Sequence, residues 1–357
     1  MKIAVIFTGG TIGSALSGGW VCLEDSLKHT LINNYVNKYG NDIKFDIISP
    51  YSIASENLSG KELTILIKCA NECLKEDYDG IIVTHGTDTI QYTAAALSYT
   101  LEITDIPVII VSANYPLNSE KSNGNINFEA AVSFIRLKAG SGVFVSYKNT
   151  LKDATSFHYG TRLLAHVETF DDLYSIDSEP YAYYEDNKVI INDEFKPVKN
   201  KKVCKNIKFK NESDILVISS HPGDSFNYNL EKFKAVILAP YHSATLNTDN
   251  INLINFCKRA KDLQIPIFLV NLRAQYIYES SKIFDELNLI KLPLCCFAAI
   301  YTKLWLALSC SYDIVSFMKE EICGEFLESW FKRDILGASC SDAPFYLPLF
   351  TDNLFNG

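Results

Sequence analysis

The chain has 357 residues, with 33 Lys plus Arg against 42 Asp plus Glu and a formal net charge of -9 at pH 7. A hydrophobic fraction of 48% beside 21% charged residues excludes wholesale disorder. The acidic balance argues against a broad nucleic-acid footprint, which needs clustered Lys and Arg, and the length suits two domains or one large α/β domain.

The N-terminal apolar run stops at Phe7, too short for the core of a signal peptide. No stretch approaches the ~18–20 apolar residues of a membrane span. The expected setting is therefore a reducing cytoplasm without a membrane partner, and the ten cysteines read as free thiols. Cys69 and Cys73 sit four apart on a predicted helix, and Cys295 and Cys296 are adjacent. Neither pair has a partner half or a His pair at zinc spacing, so they read as small buried hydrophobes and no metal site is assigned.

Strands alternate with helices through the first half. Lys2–Phe7 is a β-rich run ending in Thr8-Gly9-Gly10, and Lys44–Ile48 is a second strand. Ser59-Gly60-Lys61-Glu62 has the form of a capping box, followed by Leu63, Leu66, Ile67, Ala70, Cys73 and Leu74 at helical spacing. Gly80–Val83 is a compact apolar run that ends in Thr84-His85-Gly86-Thr87-Asp88-Thr89; a helix over 90–101 and the strand Pro107–Val111 follow. Such runs imply a parallel sheet covered on both faces. Residues 180–213, with Asp186-Asn187, Pro197 and a Lys-rich stretch from Lys199 to Lys210, read as short strands plus a linker with a solvated basic face. Alternation resumes at Ile215–Ile218, Ala235–Ala239, a helix over 251–263, Ile265–Val270 and helical periodicity from Tyr301 to Met318. The domains expected are a larger N-terminal α/β domain (1–190), a linker (191–213) and a smaller C-terminal α/β domain (214–357).

Ligands of open parallel sheets bind at the carboxyl ends of strands. Two polar loops fall there: Thr8-Gly9-Gly10-Thr11-Ile12-Gly13 and Thr84-His85-Gly86-Thr87-Asp88-Thr89. The first lacks dinucleotide-loop spacing, and no Gly-Lys-Ser/Thr makes it a P-loop. Taken together, the loops could present one Thr as nucleophile and a Thr–Asp pair as its polar support; a neutral hydroxyl needs a base nearby.

The two loops resemble, in order and separation, the two signatures of bacterial-type L-asparaginases, with the cytoplasmic type I branch the nearer. The likeness continues through Ser55-Glu56-Asn57, Tyr78-Asp79-Gly80, Tyr92–Ser98 and Ser122–Asn127, and more loosely through His221-Pro222-Gly223, Tyr241-His242-Ser243, Leu269-Val270-Asn271 and Tyr301–Leu304. It implies the two-domain asparaginase-like fold, mostly parallel in its larger sheet. It also implies an amidohydrolase in which the Thr11 hydroxyl attacks the side-chain amide of L-asparagine, releasing ammonia and then L-aspartate. By the same resemblance Thr87 and Asp88 are the second catalytic Thr and its Asp, Asp88 also meeting the substrate ammonium. Ser55, with Glu56 beside it, holds the substrate carboxylate, and backbone amides of the glycine loops serve as oxyanion donors. No metal or organic cofactor is implied, and a homodimer or homotetramer is.

Three positions depart from the family pattern. Trp20 stands where a mobile-loop Tyr is usual; it has no hydroxyl, although it could close over a substrate as an apolar lid. Asn123 stands where Asp is frequent. The lysine that pairs with the second Thr and Asp would fall at Leu164, and no Lys occurs between Lys152 and Ser175; nearby Arg162 is a poor base. His85 reads as structural, because the resemblance gives its counterpart no base role. Three readings follow: an asparagine amidohydrolase, an asparaginase-like protein with altered or lost chemistry, and the amidotransferase subunit that shares this fold. The last carries an extra N-terminal domain, and a first strand at Lys2 weighs against it.

Overall fold

The computed structural model describes residues 1–17, 20–23, 28–102, 105–166, 170–176, 179–195, 198, 207–270 and 278–327, with side chains described outside 15–28. In chain order the first part runs β1 (Lys2–Phe7), β2 (Ser14–Ser17), β3 (Trp20–Leu23), α1 (Lys28–Tyr39), β4 (Lys44–Ile48), α2 (Gly60–Cys73), β5 (Gly80–Thr84), α3 (Ile90–Thr100) and β6 (Pro107–Val111). It continues with α4 (Gly124–Arg136), β7 (Gly142–Lys148), β8 (Thr155–Tyr159), β9 (Ala182–Glu185) and β10 (Lys188–Ile191). The second part has β11 (Ile215–Ser219), β12 (Ala235–Ala239), α5 (Ile251–Asp262), β13 (Ile267–Leu269), β14 (Leu289–Lys291), α6 (Phe297–Cys310) and α7 (Ile314–Lys319).

The larger sheet has the order β10-β9-β8-β7-β6-β5-β1-β4. Its β4, β1, β5, β6 and β7 are parallel, and β8, β9 and β10 extend it antiparallel. The continuous runs Gly80–Thr84 and Pro107–Val111 are buried at every position, as central strands covered on both faces must be. Edge strand β4 instead has no fully buried residue, with Lys44 and Ile47 exposed and the rest half-buried. The chain leaves β1 for β4 on one side and returns to β5 on the other, so the carboxyl end of β1 is a topological switch point. The smaller sheet, β11-β12-β13-β14, is parallel throughout. A large, mostly parallel sheet beside a smaller parallel one is the α/β plan expected from the sequence.

Several elements differ in detail from the sequence pattern. Asp186 (φ 48°) and Asn187 (φ 60°) make the tight turn of the β9–β10 hairpin, which joins the large sheet; residues 199–206 of the expected basic stretch lie outside the described residues. The periodic run 301–318 is two helices. Ser311 adopts the left-handed conformation that ends α6, and Asp313 caps α7 by accepting from the Ser316 amide at 2.8 Å. Ser59 caps α2 through the Lys61 amide at 3.3 Å, while its hydroxyl bonds the Glu62 carboxylate. Around β11–β14 Leu216, Ile218, Leu238, Phe256 and Phe284 form a core of their own, whereas Ile300, Leu304, Leu306 and Met318 of α6 and α7 join the core of the large sheet. None of the helices among the described residues is long and apolar enough to cross a membrane.

Candidate active site

Three loops converge on the switch point. The segment after β4 runs beside Thr8–Gly10: the Ile53 amide donates to the Thr8 carbonyl at 3.0 Å, and the Gly10 amide donates to the Ile53 carbonyl at 3.1 Å. The loop after β5 packs on the other side. A Cβ on Gly10 would lie 2.2 Å from the Gly86 nitrogen, and one on Gly86 would lie 2.5 Å from Ser55 Oγ. Gly10 also needs its positive φ of 78°. Two glycines therefore press the loops together, and Thr11 and Thr87 are the residues that follow them. Both are half-buried. Thr11 opens a short 3-10 turn, Thr11–Gly13, tied back by Ser14 Oγ to the Gly10 carbonyl at 2.8 Å.

Ser55 joins the cluster directly. Its hydroxyl donates to Asp88 Oδ2 at 3.1 Å, and its carbonyl accepts from Thr89 Oγ1 at 2.9 Å. Ser55 is 5% exposed, whereas Asp88 and Glu56 are exposed. The result is a buried hydroxyl leaning on an open carboxylate, able to meet an ammonium and a carboxylate together. The amides of Gly10 and Gly13 are spent on the Ile53 and Gly10 carbonyls. Of the glycine-loop amides expected as oxyanion donors, these two are therefore already engaged.

His85 is structural by geometry. Nδ1 faces the Gly86 carbonyl at 2.8 Å and must carry the proton; Nε2 then accepts from Thr93 Oγ1 at 2.9 Å. Burial pushes its pKa down to about 4, opposed by the Gly86 carbonyl and Asp88. Burial also takes His158, whose Nδ1 faces Ser175 Oγ at 2.9 Å, down to about 3. Both bind a proton less readily folded than unfolded, so their contribution is full above about pH 6.5 and is lost as pH falls toward 4 and then 3. For His85 alone this amounts to ~3 kcal/mol. Urea unfolding should therefore show a loss of several kcal/mol between pH 7 and pH 4; equal stability at both pH values would contradict it.

Asn123 holds two loops together, which accounts for its replacing Asp. Its Oδ1 accepts from the Asn114 amide at 2.9 Å and its Nδ2 donates to the Lys148 carbonyl at 2.8 Å; an aspartate has no donor for the second bond. Trp20 begins β3, and its side chain lies outside the described residues, as do Gly18, Gly19 and Asn271.

The segment at the expected lysine folds back on itself. Leu164 donates its amide to the Tyr174 carbonyl at 3.0 Å, and the Ile176 amide donates to the Arg162 carbonyl at 2.9 Å. Leu164 packs as a partly buried hydrophobe, and Arg162 Nε donates to the Gly324 carbonyl at 3.0 Å. Among the described residues no lysine hydrogen-bonds Thr87. Sequence reasoning passed over His166, two residues beyond Leu164. It is half-buried, its ring and that of Tyr147 meet edge-on at 6.1 Å, and burial pushes its pKa down, opposed by Asp171, backbone hydrogen bonding at Asp172, Asp88 and backbone hydrogen bonding at Phe170. A histidine beside the vacated position was the signal that could have found it.

A family model described as "Asparaginase, N-terminal" matches residues 2–196. A glutamyl-tRNA(Gln) amidotransferase subunit from Methanobrevibacter smithii is 27% identical over 279 residues, 76% of this chain and 62% of that relative. The chain thus spans about three fifths of that relative's length. The thermostable L-asparaginase from Thermococcus kodakarensis superposes with a TM-score of 0.77 at 23% identity, covering 92% of this chain and 100% of that structure. L-asparaginase I from Vibrio cholerae superposes at 0.74 and 21% identity, covering 91% and 99%.

Proposed function

Because the chain belongs to the asparaginase family, we propose that it hydrolyses L-asparagine to L-aspartate and ammonia through Thr11. The observation that carries this reading is the convergence of the Thr8–Gly13, Ser55 and His85–Thr89 loops at the switch point. Asp88 meets the substrate ammonium, and Ser55 and its neighbour Glu56 frame the substrate carboxylate end. Thr87 stands opposite Thr11 across the glycine contact and supports the second half of the reaction, in which water releases the acyl group. Holding nucleophile and amide in one geometry is itself a large part of the rate. Backbone amides of the two loops other than those of Gly10 and Gly13 stabilise the oxyanion. The reading uses no metal or organic cofactor and expects a cytoplasmic homodimer or homotetramer.

One observation favours a second reading. The relative from Methanobrevibacter smithii is named as an amidotransferase subunit, so the same site could release ammonia for a partner. Steady ammonia release separates the two. The first reading expects turnover of free L-asparagine above L-glutamine by the chain alone, falling ~10²-fold or more in Thr87→Val. Turnover confined to mixtures with a partner protein and charged tRNA would favour the second. Binding of L-aspartate with no turnover of any amide would mean that the fold kept the pocket and lost the chemistry.

A further inference from the structure

Thr89 occupies the N-cap position of α3 but does not cap it. Its φ of -122° and ψ of 16° flank the helix, and its side chain makes no capping hydrogen bond. A threonine at that position ordinarily accepts from an amide of the first turn, which steadies the helix end. Here the hydroxyl reaches out of the helix and donates to the Ser55 carbonyl at 2.9 Å, across 34 positions of chain. It is thus withdrawn from a local task and given to the loop after β4. That loop is held at two points: Ile53 pairs with Thr8 and Gly10, and two residues later Ser55 meets Thr89.

We infer that Thr89 is a positioning residue for substrate binding: its hydroxyl fixes Ser55 where the Ser55 hydroxyl and the Asp88 carboxylate together receive the carboxylate and ammonium of one substrate. The inference rests on the amidohydrolase reading above. A carbonyl and a side chain leave adjoining backbone atoms of one residue, so fixing the Ser55 carbonyl fixes the direction of its Oγ. Ser55 heads a short 3-10 turn, Ser55–Asn57, and the Leu58 amide that closes this turn donates to the same carbonyl at 3.1 Å. Further constraints meet at the side chain of this serine. A methyl on Gly86 would lie 2.5 Å from Ser55 Oγ, and Asp88 Oδ2 lies 3.1 Å from it.

The other half of the pair is held from the same helix end. Gln91, 4% exposed, donates through Nε2 to the Asp88 carbonyl at 3.1 Å. The start of α3 therefore grips Asp88 through Gln91 and Ser55 through Thr89, and the separation of the two binding groups is set there rather than by either loop alone. Binding groups already held in place need no ordering when a ligand arrives, so the loss of such a bond is read in affinity before rate.

The test is calorimetric binding of L-aspartate, with KM and kcat for L-asparagine, in the unmutated chain, Thr89→Val and Thr89→Ser. Val keeps the branching of Thr and removes the hydroxyl, whereas Ser keeps the hydroxyl. The expected result is a Kd ~10-fold weaker in Thr89→Val, a KM raised by a similar factor with kcat changed less than ~3-fold, and recovery to within ~2-fold in Thr89→Ser. Two results would overturn the inference and leave the amidohydrolase reading standing: an unchanged Kd in Thr89→Val, whatever its urea midpoint, or a Thr89→Ser chain that binds as weakly as Thr89→Val. If the unmutated chain binds L-aspartate but turns over no amide, that reading fails and the comparison of Kd values still decides the inference. If it binds no L-aspartate, both fall.

Discussion

Gly10→Ala should disable the site and destabilise the fold together. The added methyl would sit 2.2 Å from the Gly86 nitrogen and 2.5 Å from its Cα, both backbone atoms that no rotamer change can move. Gly10 pairs its φ of 78° with a ψ of -177°, a region essentially confined to glycine, which adds ~1–3 kcal/mol for any residue with a Cβ. The loops after β1 and β5 must separate, and Thr11 moves away from Thr87. A shift of ~1 Å at a reacting centre costs ~10²-fold in rate, and overpacking of this kind costs ~1–3 kcal/mol beyond the backbone term. Gly13→Ala is the control, because a Cβ there meets nothing within 4 Å among the described residues. Activity and urea midpoints should fall sharply in the first variant and hold nearly steady in the second; similar behaviour of the two would remove the glycine contact from the account.

Lys303→Met should be the most destabilising of the conservative-volume changes. Lys303 and Glu325 are both 0% exposed, and their charges meet at 2.6 Å. Glu325 also accepts from the Cys323 amide at 2.7 Å and the Ile322 amide at 3.0 Å, and Lys303 Nζ donates to the Glu320 carbonyl. The ammonium sits 4.7 Å from the centre of the Phe326 ring. The pair fastens α6 to the segment after α7. That segment in turn accepts from Thr161 Oγ1 at 2.8 Å through the Cys323 carbonyl and from Arg162 through Gly324, just beyond the end of β8. Burial lowers the Lys303 pKa against the pull of Glu325, so the ammonium depends on its partner. Removing one charge leaves the other buried and uncompensated, an effect of ~3–5 kcal/mol. The double variant Lys303→Met/Glu325→Leu should recover only part of this, because the Ile322 and Cys323 amides then lose their acceptor at ~1–3 kcal/mol each. Denaturant unfolding of the unmutated, single-variant and double-variant chains checks the order; a single variant within ~1 kcal/mol of the unmutated chain would show that the pair is not isolated from water.

Much of the large sheet was legible because its central strands are continuous apolar runs. Ile82 and Ile110 have only apolar chain neighbours, with none to mistake for a solvent face, and the strand-end rule then points to the loops that follow. The convergence of Thr11, Ser55, Thr87 and Asp88 was legible by resemblance and by topology together. The antiparallel extension β8–β10 was less so: β9 and β10 are short and β10 is an exposed edge, so neither carries a strong periodic signal. The attachment of α6 to the large-sheet core is a long-range fact, seen where the Tyr92 and Tyr301 rings meet edge-on at 5.6 Å, and local pattern cannot report it. His166 was hidden for the same reason. Its surroundings depend on the chain folding back through Asn149 and Leu173, which are remote from it in local pattern.

The measurement that bears most directly on the central claim is ammonia release from L-asparagine by the Thr11→Ala chain, with its fold confirmed by an unchanged urea midpoint. Thr11 as nucleophile requires a loss of at least ~10³-fold relative to the unmutated chain, with L-aspartate still bound. Turnover in Thr11→Ala close to that of the unmutated chain would contradict the account.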